Sequence, residues 1–196
     1  MDTHFPMHSL VAGEVWLGQQ RLLGQGFGGI GVINMEFEWS KAMDTAQKIV
    51  GMIDDVCIKA EIVGSIRRGK QKVHDIDIVA IPKLFPGMVI QRLEGKCEIG
   101  KKGNKIVTGT LDNIPFDIYF ATPKTFETLV LIRTGSKEHN IKLCKLAKEK
   151  GWKLKADGTG LIDANNKLID NTEAGILEKL VGHYVEPKDR EVNYGF

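Results

Sequence analysis

The sequence has no apolar stretch long enough to span a bilayer, and its first residues lack the basic segment followed by an apolar run that a secretory signal needs. A membrane-embedded or secreted protein is therefore not expected. The expectation is a cytoplasmic one, or one of the host cytoplasm or nucleus if the source is viral. Cysteine is scarce: Cys57, Cys97 and Cys144 are odd in number, widely spaced and without CxxC spacing, which argues against a disulfide frame and a zinc site. Charge of one sign is not in excess either. A net charge of +2 over 196 residues is small for a protein that grips a polyanion, so any such role falls to local patches. With 42% hydrophobic residues the chain can bury one good core or two small ones.

The chemistry that is present lies mainly between residues 58 and 120. Gly64-Ser65-Ile66-Arg67-Arg68-Gly69 is followed by Asp75-Ile76-Asp77, which opens the apolar run Ile78-Val79-Ala80-Ile81. Side chains alternate across a strand, so Asp75 and Asp77 project from one face while Ile76 and Ile78 supply a core from the other. Asp117 lies in a second alternating segment, Phe116-Asp117-Ile118-Tyr119-Phe120. Beside the first strand it adds a third carboxylate. Such an oxygen-rich set suits Mg²⁺, with Mn²⁺ as a substitute, because Mg²⁺ keeps waters and takes its remaining ligands from substrate phosphates. Two ions of this kind would lower the pKa of an attacking hydroxyl and stabilise a transferring phosphoryl group. Gly64 permits a close backbone turn around a phosphate, Ser65 can donate to it, and the Arg68 guanidinium can bind phosphate oxygens in pairs.

Gly-Ser followed by Asp-x-Asp and a later single Asp resembles the nucleotidyltransferase superfamily. Three further stretches make the chain similar to the family X DNA polymerases, the group of DNA polymerase beta. They are the double arginine Arg67-Arg68, the run Arg133-Thr134-Gly135-Ser136-Lys137-Glu138-His139-Asn140, and Glu186-Pro187-Lys188-Asp189-Arg190. The resemblance runs in order over roughly residues 39 to 192. It implies that Asp75 and Asp77 bridge both metal ions, that Asp117 holds the ion activating the primer 3′-hydroxyl, and that Ser65 and Arg68, with Gly64, bind the triphosphate. It also implies that Thr134 and Gly135 approach the sugar of the incoming nucleotide, that Lys137 sits near its base, and that Asn140 reaches the minor-groove edge of that base.

Three positions depart from the family pattern. An aromatic pair commonly precedes Thr-Gly, where this chain has Ile132 and Arg133; many relatives have arginine at Cys144; and His74 replaces a glycine before the first metal aspartate. The first bears on sugar selectivity and the second on fidelity. The expected activity is template-directed addition of deoxynucleoside triphosphates to gapped or primer-template DNA, filling short gaps in repair. The alternatives are a template-independent or non-DNA nucleotidyltransferase, and a DNA-end-binding module without catalysis. Protein partners cannot be read from the residues.

The fold class expected is α+β: a mixed-sheet nucleotidyltransferase palm over residues 35–130 and a small helix-and-hairpin lobe over 131–196. An amphipathic helix is predicted over 39–55, strands near 58–64, 75–82, 106–111 and 115–121, and a helix over 136–150 capped by Ser136 and stopped at Gly151. Basic residues cluster at Arg67 to Lys72, Lys96 to Lys105 and Lys142 to Lys155, patches that would neutralise phosphates without reading sequence. Residues 1–34 fall outside the resemblance and are expected to form a flexible leader, with Met35 a possible start; the lyase domain and helical hairpins usual at the family's N-terminus are not expected. Gly24-Gln25-Gly26-Phe27-Gly28-Gly29 matches G-x-G-x-x-G, but no strand precedes it and no helix follows, so no dinucleotide site is expected there.

Overall fold

β-Branched residues crowd the central segments and form strands there. The computed structural model describes residues 35–191; the leader and its glycine motif lie outside the described residues. In chain order the elements are β1 (Phe37–Glu38), α1 (Trp39–Ile53), β2 (Cys57–Ile62), α2 (Gly64–Arg67), β3 (Lys72–Val73), β4 (Ile76–Pro82), α3 (Pro86–Leu93) and β5 (Glu98–Lys102). There follow β6 (Ile106–Leu111), β7 (Ile114–Phe120), α4 (Phe126–Thr134), α5 (Lys137–Glu149), β8 (Lys153–Lys155), β9 (Gly160–Ile162), β10 (Leu168–Asp170), α6 (Glu173–Val181) and a 3-10 turn at Pro187–Glu191. The architecture is the α+β one expected, with a mixed five-stranded sheet in the order β2-β4-β7-β6-β5. β4 and β7 are parallel, and the other neighbours in the sheet are antiparallel.

Strand parity decides what each face of this sheet does. Ile76, Ile78 and Ala80 of β4, with Phe116 and Ile118 of β7, face a core that includes Ala42, Ala46, Ile49 and Ile53 of α1. Those α1 positions follow helical spacing, which is why the segment forms an amphipathic helix on that face. Val79 and Ile81 point the other way, into a cluster with Phe126, Leu129 and Val130 of α4. Asp77 and Asp117 share this second face, and the register sets them directly opposite each other on adjacent parallel strands. Asp75 precedes β4 rather than lying in it.

α4 serves two cores. Leu129 and Val130 pack on the sheet, whereas Leu131 joins Leu143, Leu154, Leu161, Ile176 and Leu177 in a third cluster beneath α5, α6 and the antiparallel β8-β9-β10 sheet. The boundary expected between residues 130 and 131 therefore falls inside one continuous helix. Trp152 packs partly buried against the third cluster. Ser136 caps α5, accepting from His139 N–H at 3.3 Å. Helices α2, α3 and α4 were not foreseen; in α3, Pro86 at the first turn and buried Val89 and Leu93 set the helix against α1 and β4.

His139 is buried, and neither ring nitrogen finds a partner among the described residues. Burial, together with the positive charges of Arg190 and Lys142, pushes its pKa down from 6.5 to about 4. The unfolded chain takes up this proton near pH 6.5 and the folded chain only near 4. The stability at stake is therefore fully present above pH 6.5 and lost as pH falls through that window, by up to about 3 kcal/mol. His139→Phe, which fills the space without a titrating group, is expected to flatten this part of the pH dependence in urea unfolding at pH 7 and pH 5. An unchanged slope would contradict the assignment.

Candidate active site

The turn that carries Gly64 to Arg68 is fixed by its neighbours before any ligand is considered. Gly64 has φ +63°, and a Cβ there would lie 2.2 Å from Asp77 Oδ2. Glycine is needed because the Asp77 carboxylate packs against the backbone, a reason distinct from the phosphate contact expected for it. Ser65 follows directly, and its buried Oγ has no hydrogen-bond partner among the described residues. The two arginines then part. Arg67 turns inward, giving Nη1 and Nη2 to Glu173 Oε1 and Oε2 at 2.7 and 2.8 Å and Nη1 also to Thr134 Oγ1 at 2.8 Å. Arg68 reaches towards the carboxylates, donates to the Thr134 carbonyl and pairs with Glu191.

The three aspartates repel one another. Asp77 is pushed up from 3.8 to about 8, first by burial and then by the charges of Asp75 and Asp117, against which Arg133 and Arg68 act. Asp75 is also raised, by burial, with His74 and Arg68 opposing. Asp117 is raised by burial, while the Tyr119 hydroxyl, donating to its Oδ2 at 3.1 Å, opposes the shift. Burial and the Asp77 charge hold Tyr119 far above the ordinary tyrosine range, so it remains a donor. Over the Tyr119 ring lies the Arg133 guanidinium, 3.9 Å from the centroid, with its buried Nε unpartnered among the described residues. The sequence marks Arg133 only as a departure from an aromatic. The structure makes it a cation stacked beside the carboxylates.

Among the described residues no set of three or more His, Cys, Asp or Glu is arranged as a ready-made metal cage. Mg²⁺ does not require one, because it binds through one or two carboxylates and completes its shell with water and phosphate oxygens. The donor set fits such an ion: hard oxygen ligands under mutual repulsion, with an unspent Ser65 hydroxyl near by.

The remaining expected residues are distributed unevenly. Thr134 and Gly135 are buried at the end of α4, and a Cβ at Gly135 would lie 3.3 Å from Arg68 Nη1, so both belong to the same corner. Lys137 is exposed at the start of α5. Asn140 is turned inward: it is buried, its Nδ2 donates to the Ile132 carbonyl at 2.8 Å, and its Oδ1 has no partner among the described residues. It does not present an exposed edge of the kind a base would meet. Arg190, the last residue of the terminal stretch that carries the resemblance, is fully buried and donates Nη1 to Glu173 Oε1 at 2.8 Å. Glu173 and Glu191, which tie the arginines of the turn to the lobe, are missed by sequence reasoning. The only signal was that Glu191 continues the charged terminal run.

Residues 129–191 match the family model for the DNA polymerase beta thumb. No curated protein matches the chain. The match supports a family X-like polymerase fragment over those residues; the sheet that carries the aspartates lies wholly before it.

Asp77→Asn removes one of three repelling charges while keeping the shape. We expect the variant, in the absence of metal at pH 8, to melt several degrees above the wild type by calorimetry. Mg²⁺ should raise the wild-type Tm by mass action and the variant's much less. A variant that melts lower and responds equally to Mg²⁺ would contradict the carboxylate assignment.

Proposed function

We propose that the chain is a DNA polymerase of family X type. It adds deoxynucleotides to a primer 3′-hydroxyl under template direction and fills short gaps in DNA repair. The observation that carries this reading is the convergence of Asp75, Asp77 and Asp117 beside the Gly64–Arg68 turn, immediately before a polymerase beta thumb match. Divalent cations held by the three aspartates would supply charge neutralisation and a lowered pKa at the attacking hydroxyl.

The chain's own residues do the positioning. Ser65 Oγ, buried and unspent, is a donor for a phosphate oxygen, and Arg68 brings a guanidinium to the triphosphate. Arg67 does not share that task, because its donors are committed to Glu173 and Thr134; it keeps the turn in place. The Thr134–Gly135 backbone forms the wall nearest Arg68, where a sugar would lie. Arg133 occupies the place of an aromatic there, held flat by the Tyr119 ring. The exposed lysines of α5 and its exit, Lys137, Lys148 and Lys150, offer contacts to a nucleic-acid backbone that carry no sequence information.

A second reading, template-independent addition to a 3′ end, is favoured by two observations. Asn140 is turned away from solvent, and Cys144, exposed on α5, has no fork of donors to read a template strand. A DNA-end-binding module without catalysis is the third reading, and Mg²⁺-dependent incorporation would eliminate it.

The test is extension of a labelled primer on singly gapped, blunt and single-stranded DNA with Mg²⁺, each deoxynucleotide and the matching ribonucleotides. Incorporation of the complementary nucleotide in the gap is expected. Asp117→Ala should lower the rate by on the order of 10³, whereas Arg68→Ala should mainly raise the nucleotide KM, by roughly tenfold or more. Addition regardless of template would establish the second reading, and full activity in Asp117→Ala would overturn the assignment of the aspartates.

A further inference from the structure

The C-terminal turn is fixed with unusual completeness for a chain segment so near the surface. Arg190 is fully buried; its Nε and Nη2 donate to the Val185 carbonyl at 3.0 and 2.8 Å, and its Nη1 to Glu173 at 2.8 Å. Its own carbonyl accepts from Ser136 Oγ at 2.6 Å. The backbone at residue 190 is thus held from both sides, and the next residue, Glu191, starts from a defined point. Its Oε1 accepts from Arg68 Nε, and its Oε2 lies 2.6 Å from Lys70 Nζ. Lys70 and Arg68 together outweigh burial and hold Glu191 below the usual carboxylate range, so it is an anion wherever a nucleotide is.

We propose that Glu191 is a built-in competitor of the substrate: its carboxylate occupies, on Arg68 and Lys70, the place of a phosphate of the incoming triphosphate, which must displace it to bind. The inference rests on the reading of Arg68 as a triphosphate ligand. Carboxylate and phosphate offer a guanidinium the same pair of oxygens, and the Nε edge of Arg68 accommodates one of them at a time. Nη1 is already given to the Thr134 carbonyl, so while Glu191 holds Nε neither paired edge of the Arg68 fork is wholly free for bidentate contact with a phosphate. Lys70 is drawn to the same carboxylate and becomes an additional phosphate contact once it leaves. Because the competitor is tethered, its effect is constant. It raises the nucleotide concentration needed for occupancy and leaves the step after occupancy untouched.

The experiment measures binding of inorganic tripolyphosphate by calorimetry, and steady-state nucleotide incorporation, in wild type, Glu191→Gln, Glu191→Asp, Asp189→Asn and Arg68→Ala. Glu191→Gln keeps the shape and removes the charge. It is expected to bind tripolyphosphate roughly fivefold more tightly and to lower the nucleotide KM by a like factor, with kcat unchanged. Glu191→Asp, one methylene shorter, should fall between. Asp189→Asn removes the same charge two residues earlier from an exposed side chain and should match wild type in both assays. Equal or weaker binding in Glu191→Gln, or the same gain in Asp189→Asn, would overturn the role of Glu191. If Arg68→Ala binds tripolyphosphate as wild type does, the triphosphate reading of Arg68 fails and the inference with it. If Arg68→Ala weakens binding while Glu191→Gln changes nothing, only the competitor role fails.

Discussion

The structure depends on one buried ionic junction, Arg67–Glu173–Arg190. Glu173 takes both ends of the Arg67 guanidinium and one nitrogen of Arg190, the largest fully buried side chain among the described residues. Burying three charges is costly, and the cost is offset only because each finds near-ideal partners. Removing Glu173 would leave two arginines facing each other, a loss on the order of 3–5 kcal/mol. The junction joins three segments far apart in sequence: the turn after β2, the start of α6 and the C-terminal 3-10 turn. Everything Arg68 can do follows from it, since Arg68 is the next residue and inherits its position from Arg67.

A second constraint lies in the sheet. Parallel pairing of β4 and β7 in register places Asp77 opposite Asp117, and alternation sends Ile76, Ile78, Phe116 and Ile118 to the other face. Carboxylates and core therefore come from the same strands without conflict. The same geometry sets Gly64 against Asp77, which ties the phosphate-type turn to the acidic face at a separation no side chain could allow. Burial pushes all three aspartates up, and at Asp77 and Asp117 the site also stores repulsion from the neighbouring carboxylates. Such stored repulsion is the usual relation between a functional site and the stability of the fold that carries it.

Much of this was legible in the sequence, and the limits are physical. The strands and the 39–53 helix follow from alternation and helical spacing, which are local. The pairing of Asp77 with Asp117 followed once both strands were recognised. The resemblance named Arg68, Thr134 and Gly135 together, and the structure brings them to one corner. What sequence could not supply were partners set by long-range packing: Glu173 for Arg67, Glu191 for Arg68, Tyr119 for Arg133. Each joins residues from different elements, so no periodicity reports it. Asn140 differs for a related reason. Its place one turn into α5 was clear, but the Ile132 carbonyl that draws its amide inward belongs to the preceding helix.

The central claim is that Asp75, Asp77 and Asp117 hold divalent cations jointly with a nucleotide. The most direct measurement is a Mn²⁺ titration followed by electron paramagnetic resonance, with wild type and Asp77→Asn, each with and without a deoxynucleoside triphosphate and singly gapped DNA. The account predicts that the complete wild-type mixture binds two more Mn²⁺ ions per chain than the same mixture lacking protein, and that Asp77→Asn loses this binding. Equal Mn²⁺ occupancy in wild type and Asp77→Asn would contradict it.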